Sequence, residues 1–316
     1  MEFNDPLFFE PLFMERVWGG SHLQTLFDKH LPHGSRIGES WEIVDREEAQ
    51  SVVHIGPLKG STLQELWTGY RADVFGKDYI AHPSPRFPLL FKLLDAQERL
   101  SIQVHPPAAL APILDGEPKT EMWYIVDARL DHAIFAGVKK GTTRDTFQQH
   151  LDAGTVEEIV QRIPVESGDA IFIPSGRLHA IGAGNVIVEI QQNSDTTYRV
   201  FDWNRLGLDG QPRQLHVEQS LQSIDYNDTD PQLLPRDQEE LVRCDYFRVE
   251  KWEINEPRAS ITDGRFCIIT VLTGRIRTGR RVFSKGEFFL VPPTQKDLTL
   301  YPVAPDTTLL RTTIPI

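Results

Sequence analysis

Apolar positions in this chain fall mostly in short runs broken by glycine and proline, and only a few stretches keep helical spacing. Residues 1–57 alternate such runs, for example Pro6-Leu-Phe-Phe9 and Gly38-Glu-Ser-Trp-Glu-Ile-Val44, with turn clusters. Ser61 opens a short helix through Trp67 as its N-cap, and Asp73 to Arg86 reads mostly as loop. Pro88-Leu-Leu-Phe-Lys-Leu-Leu-Asp95 reads as a buried strand. It leads to Leu100-Ser-Ile-Gln-Val-His-Pro-Pro107, which alternates like a strand until two prolines stop it. Thr142 to Gly154 predicts a helix with a glycine stop, and Thr155 to Ile163 a second helical turn. Gln214 to Asp225 predicts a helix bridging two lobes, and beyond Cys244 every element reads as a short strand.

Many short strands with few helices predict an all-β protein of jelly-roll sandwiches or barrels. An internal echo, Gly168-Asp-Ala-Ile-Phe-Ile-Pro174 against Gly286-Glu-Phe-Phe-Leu-Val-Pro292, predicts two such lobes. After the proline the first copy places His179 where the second has Asp297, so only the first lobe is expected to carry a site. The expected division is 1–225 for the first lobe with helical insertions, 226–240 for an acidic linker and 241–316 for the second lobe.

Composition narrows the function classes. The chain has 316 residues, 40% hydrophobic and 25% charged, as in a soluble globular protein. No run approaches a membrane span and no export signal opens the chain, so a cytoplasmic location without membrane contact is expected. Two cysteines make no disulfide framework or metal motif. A net charge of −12 argues against nucleic acid as a partner, and an anionic substrate would need a local basic pocket.

Gln103 and His105 lie two apart on the alternating strand, so both side chains share a face. A lone histidine there is usually a satisfied core residue. The turn before His179 and the acid at the head of Glu121-Met-Trp-Tyr-Ile-Val126 change that balance. Gln, His, Glu and His form a nitrogen/oxygen set without sulfur, which suits Zn²⁺ with an open coordination position and also fits Mn²⁺, Fe²⁺ or Co²⁺.

The pattern Gly168 to Pro174, Gly176, His179 and Asn185 resembles the second signature motif of the cupin superfamily. A closer resemblance is to the type I mannose-6-phosphate isomerases, in their short bacterial branch. It is carried by Arg16-Val-Trp-Gly-Gly20, Ile37-Gly-Glu-Ser-Trp41, Phe87-Pro-Leu-Leu-Phe-Lys-Leu-Leu94, Leu100-Ser-Ile-Gln-Val-His-Pro106, Lys119-Thr-Glu121 and Asn193-Ser-Asp-Thr-Thr-Tyr-Arg199. The resemblance implies two cupin lobes, one zinc ion per chain on Gln103, His105, Glu121 and His179, and a hexose 6-phosphate substrate. It also implies that Lys92, Lys119, Asp195 and Arg199 face that substrate. Longer members of the family have a histidine where this chain has Pro118, so that residue cannot serve here.

Isomerisation moves a proton between C1 and C2 through a cis-enediol, which needs a polarised carbonyl and a base. A metal-bound water, Asp195, Glu189 and Lys119 with a depressed pKa are the candidate bases. Arg199 is expected to offset the enediolate charge or clamp the phosphate. Trp18, with Trp41, is expected to line the sugar pocket. The alternatives are another metal-dependent cupin enzyme, such as an Fe²⁺ dioxygenase, and a non-catalytic sugar-phosphate-binding cupin. Either a monomer or a homodimer is compatible with the sequence.

Overall fold

The computed structural model describes residues 1–128, 132–261 and 263–316. In chain order its strands are β1 (Leu7–Phe8), β2 (Leu12–Gly20), β3 (Ile37–Ile43), β4 (Leu89–Ala96), β5 (Ile102–Val104), β6 (Glu121–Ala128), β7 (Ala133–Val138), β8 (Val160–Pro164), β9 (Ala170–Ile173), β10 (His179–Ile181), β11 (Asn185–Gln192) and β12 (Tyr198–Phe201). After a long segment without strands follow β13 (Glu240–Arg243), β14 (Arg248–Ile254), β15 (Arg258–Ala259), β16 (Cys267–Thr273), β17 (Arg275–Thr278), β18 (Arg281–Ser284), β19 (Phe288–Val291), β20 (Thr299–Pro302) and β21 (Thr307–Thr313). The α-helices are α1 (His22–Phe27), α2 (Leu63–Gly69), α3 (Arg144–Ala153) and α4 (Val217–Ser223).

Two sheets face each other in each lobe. The first lobe pairs β2-β3-β4-β11-β6-β9 with β12-β5-β10-β7-β8, and the second pairs β1-β19-β16-β21-β14-β13 with β15-β20-β17-β18. This is the expected all-β, two-lobed jelly-roll architecture.

Strand β4 explains both its own sequence and the join between lobes. Leu89, Phe91 and Leu93 point into a core that also holds Ile268, Phe288, Leu290 and Leu310 of the second lobe. Leu94 and Ala96 point the other way, into an apolar cluster with Trp18, Trp123 and Ile125. A strand covered on both sides reads as a continuous apolar run because neither face meets water. Lys92 interrupts the run on the first-lobe face, and it is buried.

The echoed turns match in detail. The N–H of Gly168 donates to Ile125 O (2.9 Å), and that of Gly286 to Val271 O (2.8 Å). Both glycines have positive φ, 95° and 81°. In the second lobe the matching interior is packed with Trp252, Phe283 and Phe289, and Asp297 accepts a local bond from the Thr299 N–H at 3.0 Å.

Several expectations are corrected. Helix α2 is capped by Thr62, not Ser61: Thr62 Oγ1 accepts from the Glu65 N–H (3.1 Å) while Glu65 Oε2 accepts from the Thr62 N–H (2.8 Å). The loop expected over 73–86 holds a π-turn at Arg71–Phe75 and a 3₁₀ turn at Lys77–Tyr79. The second helical turn is the 3₁₀ segment Val156–Ile159, after which the chain enters β8. Helix α4 does not bridge the lobes, because Leu221 and the adjacent Ile224 pack with Ile102, Val104 and Val200 of the first lobe. The acidic segment before β13 is pinned to that lobe through Arg177–Asp228 (2.6 Å) and Arg236–Asp169 (2.7 Å). The N-terminal strand β1 belongs to the second lobe, paired with β19. Among the described residues no helix is long and apolar enough to cross a membrane.

Candidate metal centre and active site

Two cross-strand rows face each other inside the first jelly roll. On the six-stranded sheet, register aligns Trp41, Lys92, Glu189 and Trp123 across β3, β4, β11 and β6. On the five-stranded sheet it aligns Arg199, Gln103 and His179 across β12, β5 and β10. Directly opposed residues share a face, so each row presents its side chains together. Between the rows lies a cavity of about 600 Å³ lined by Trp18, Lys92, Gln103, Lys119, His179, Glu189, Asp195 and Arg199. Every residue singled out in the sequence for catalysis or substrate contact lines this one space, except Trp41, which packs with Val44 and Leu90 while the Lys92 ammonium lies 4.9 Å over its ring.

At the cavity floor His105, Glu121 and His179 bring one ligand atom each to within 4.8 Å of one another. His105 Nε2 is 3.6 Å from Glu121 Oε2, and His179 Nε2 is 3.5 Å from Glu121 Oε1. Gln103 Nε2 stands 3.3 Å from His179 Nε2, so its amide borders the cluster. The second ring nitrogens are taken: His105 Nδ1 lies 2.8 Å from Thr196 O, and His179 Nδ1 lies 2.8 Å from Arg177 O. A carbonyl oxygen can only accept, so each Nδ1 carries the proton and each Nε2 turns a lone pair inward. Pro106 and Pro107 end β5 just past His105, and Gly176, at φ 94°, makes the turn that delivers His179.

The donor set fits a metal on its own chemistry. His105 Nε2 and both carboxylate oxygens of Glu121 are buried without a hydrogen-bond partner. Orphaned buried polar atoms are costly, and three of them converging on one point call for a cation. Burial alone would raise the Glu121 carboxyl, but Lys119, His105 and His179 outweigh it and hold it well below the usual carboxylate range. Burial lowers His105, and it brings His179 down to about 3, so both are neutral imidazoles at neutral pH.

Lys119 departs from its expected state. Burial works against its charge, but Glu121, Glu189 and Asp195 more than compensate and raise its pKa. Its Nζ lies 3.2 Å from Glu121 Oε2, outside hydrogen-bond geometry yet close enough to favour the ammonium.

Lys92 Nζ sits between Glu39 Oε2 (3.7 Å) and Glu189 Oε1 (3.5 Å), and Trp123 Nε1 donates to Glu189 Oε2 at 2.9 Å. Burial and Glu121 raise the Glu189 carboxyl, against the pull of Lys119 and Lys92. Asp195 lines the cavity and is exposed, with no hydrogen bond among the described residues. Glu39, Arg16, Arg213 and His216 also line the cavity. Glu39 shares a face with Trp41 on β3, a signal that alternation in the sequence carries, whereas Arg213 and His216 lie on a loop without periodicity.

A family model for the type I phosphomannose isomerase catalytic domain matches residues 7–124. The mannose-6-phosphate isomerase ManA of Bacillus subtilis (strain 168) is 39% identical over 302 residues, spanning 92% of this chain and 93% of the relative. A mannose-6-phosphate isomerase of Streptococcus mutans is 36% identical over 303 residues, spanning 92% and 94%. A crystal structure of the Bacillus subtilis mannose 6-phosphate isomerase superposes with a TM-score of 0.88 at 34% identity, covering 98% of this chain and 99% of that one. The resemblance carried by the strand motifs thus extends through both lobes, and the chain belongs to the type I mannose-6-phosphate isomerases.

Proposed function

We infer that this isomerase is zinc-dependent and interconverts mannose 6-phosphate and fructose 6-phosphate by moving a proton between C1 and C2 through a cis-enediol. The observation that carries this is the convergence of orphaned buried donors on His105 and Glu121 at the floor of a cavity rich in cations. One ion per chain would be held by His105, Glu121 and His179, with Gln103 as a fourth ligand once its amide is turned so that the oxygen, which here accepts from Ser101 Oγ at 3.2 Å, replaces Nε2 beside the cluster. A nitrogen/oxygen set with an open position favours zinc. When bound, it supplies Lewis acidity that makes the C–H next to the carbonyl acidic.

The chain's own residues do the rest. Glu189, with Trp123 on one oxygen and Lys92 near the other, is fixed in place and holds the Lys92 ammonium towards the sugar hydroxyls. Asp195 has no partner of its own among the described residues, which leaves it the carboxylate available to take the proton and return it to the neighbouring carbon. Lys119, beside Glu121, places positive charge at the end of the cavity where the enediolate oxygens develop negative charge, and Arg199 places it at the far wall.

The test separates metal ligands from groups that act on substrate. His179→Ala is expected to lose both zinc and turnover. Arg199→Ala and Asp195→Asn are expected to keep zinc and to lose at least a hundredfold in kcat. Zinc retained at full stoichiometry in the His179 variant, or unchanged kcat in both others, contradicts these roles.

A further inference from the structure

The five cations that line the cavity are not equally compensated. Arg16 bonds Glu39 at 3.0 Å, Lys92 lies between Glu39 and Glu189, and Lys119 lies against Glu121. At the other wall, Arg199 and Arg213 stand with Arg205; Asp202 is shared between Arg213 and Arg205, and Glu98 Oε2 lies 3.9 Å from Arg205 Nη1. Asp202 accepts from Arg213 Nε (2.7 Å) and Nη2 (2.6 Å) and also from Arg205 Nη2 (2.9 Å). Arg199 has no carboxylate partner among the described residues; its Nη1 donates to Gln214 O at 3.0 Å, and its Nε is buried with no hydrogen bond. His216 faces the same space, and its Nδ1 is likewise buried and unpartnered. Burial, then Arg213, Arg205 and Arg16, push the Arg199 guanidinium down against the pull of Asp202, as expected where positive charge is in excess.

Three guanidiniums face Asp202 and a more distant Glu98 that is shared with Arg36, which leaves net positive charge on this wall in a chain whose net charge is −12. A phosphate monoester carries about −1.5 to −2 at neutral pH and offers three acceptor oxygens. The row β12-β5-β10 sets Arg199 two strand spacings, about 10 Å, from His179, so an anion there would lie across the cavity from the metal cluster. That separation suits a substrate whose reacting carbons and phosphate lie at opposite ends of a six-carbon chain.

We propose that Arg213 and His216, together with Arg199, form the subsite that holds the substrate's phosphate group, with Asp202 fixing the Arg213 fork and Gln214 O tethering Arg199. This rests on the sugar-phosphate isomerase reading. Lys92 and Lys119, already matched by carboxylates, then serve the sugar end.

The test uses inorganic phosphate as the probe and mannose 6-phosphate as the substrate. Calorimetric titration of phosphate into Arg213→Gln is expected to show binding at least tenfold weaker than wild type. The KM for mannose 6-phosphate is expected to rise at least tenfold, with a smaller change in kcat. His216→Leu breaks no ion pair and is expected to weaken phosphate severalfold, which keeps the test decisive if Arg213→Gln misfolds. Phosphate affinity and KM within twofold of wild type in both variants, or no phosphate binding by wild type, overturns the subsite. Arg213-dependent phosphate binding by a wild type that does not turn over mannose 6-phosphate sustains the subsite and removes the isomerase reading. Turnover with KM untouched by either variant does the reverse.

Discussion

Buried charge in the first lobe is arranged in chains, and Glu39 is the link on which one chain depends. Arg16 Nη2 donates to its Oε2 at 3.0 Å and Trp41 Nε1 to the same oxygen at 2.7 Å, with Lys92 Nζ 3.7 Å away. Burial raises this carboxyl, but Lys92, Arg16 and the indole N–H outweigh it and bring it from an ordinary 4.5 to about 2. The folded pKa is lower than the unfolded one, so the contribution to stability is complete above about pH 4.5. It is lost as the pH falls towards 2. Glu39→Gln leaves the buried Lys92 with Glu189 alone and is expected to cost about 3 kcal/mol in urea unfolding at neutral pH. Over the same acid range its stability should fall less steeply than that of wild type. Parallel pH profiles for the two proteins would remove Glu39 from this role.

At the scale of elements, the two copies of the glycine turn share a backbone but not a setting. A Cβ on Gly168 would meet nothing nearer than Tyr124 Oη at 4.0 Å, whereas one on Gly286 would fall 2.5 Å from the Phe27 ring. Gly168→Ala is therefore expected to cost only the positive-φ strain, about 1–2 kcal/mol. Gly286→Ala should add overpacking of about 1–3 kcal/mol, read as a lower denaturation midpoint. Equal midpoints would show that Phe27 moves aside freely.

The same elements show what was legible in the sequence. Gln103 and His105 could be paired because alternation is local, and the glycine–proline turn before His179 has a recognisable form. The meeting of those residues with Glu121, by contrast, rests on register across strands distant in sequence. Helix α4 was placed between the lobes because its apolar positions were legible but the surface they cover was not. The unmatched arginine wall escaped notice because a loop such as Asp202 to His216 carries no period, and charge excess appears only once Asp202 is seen to be shared.

For the whole molecule, the decisive feature is a core that belongs to neither lobe alone. Phe91 meets Phe288 with ring centroids 6.4 Å apart, Phe75 meets Phe266 at 5.1 Å, and Tyr79 Oη donates to Ile314 O at 2.6 Å. The N-terminal strand β1 adds a crossing in the other direction. Lobes joined in this way should melt together, so calorimetry is expected to show one transition. Phe288→Ala should lower it as a whole, by about 3–5 kcal/mol in stability. Two resolved transitions, with only one moved by the substitution, would mean that the shared core does not couple the lobes.

The central claim is that His105, Glu121 and His179, with Gln103, hold a metal ion on which aldose–ketose isomerisation depends. Metal content and the rate of fructose 6-phosphate formation from mannose 6-phosphate, measured together before and after chelation, test it most directly. The account predicts one zinc per chain, with activity lost on chelation and restored by zinc in proportion to the metal rebound. Full isomerase activity in a thoroughly metal-free protein would contradict it.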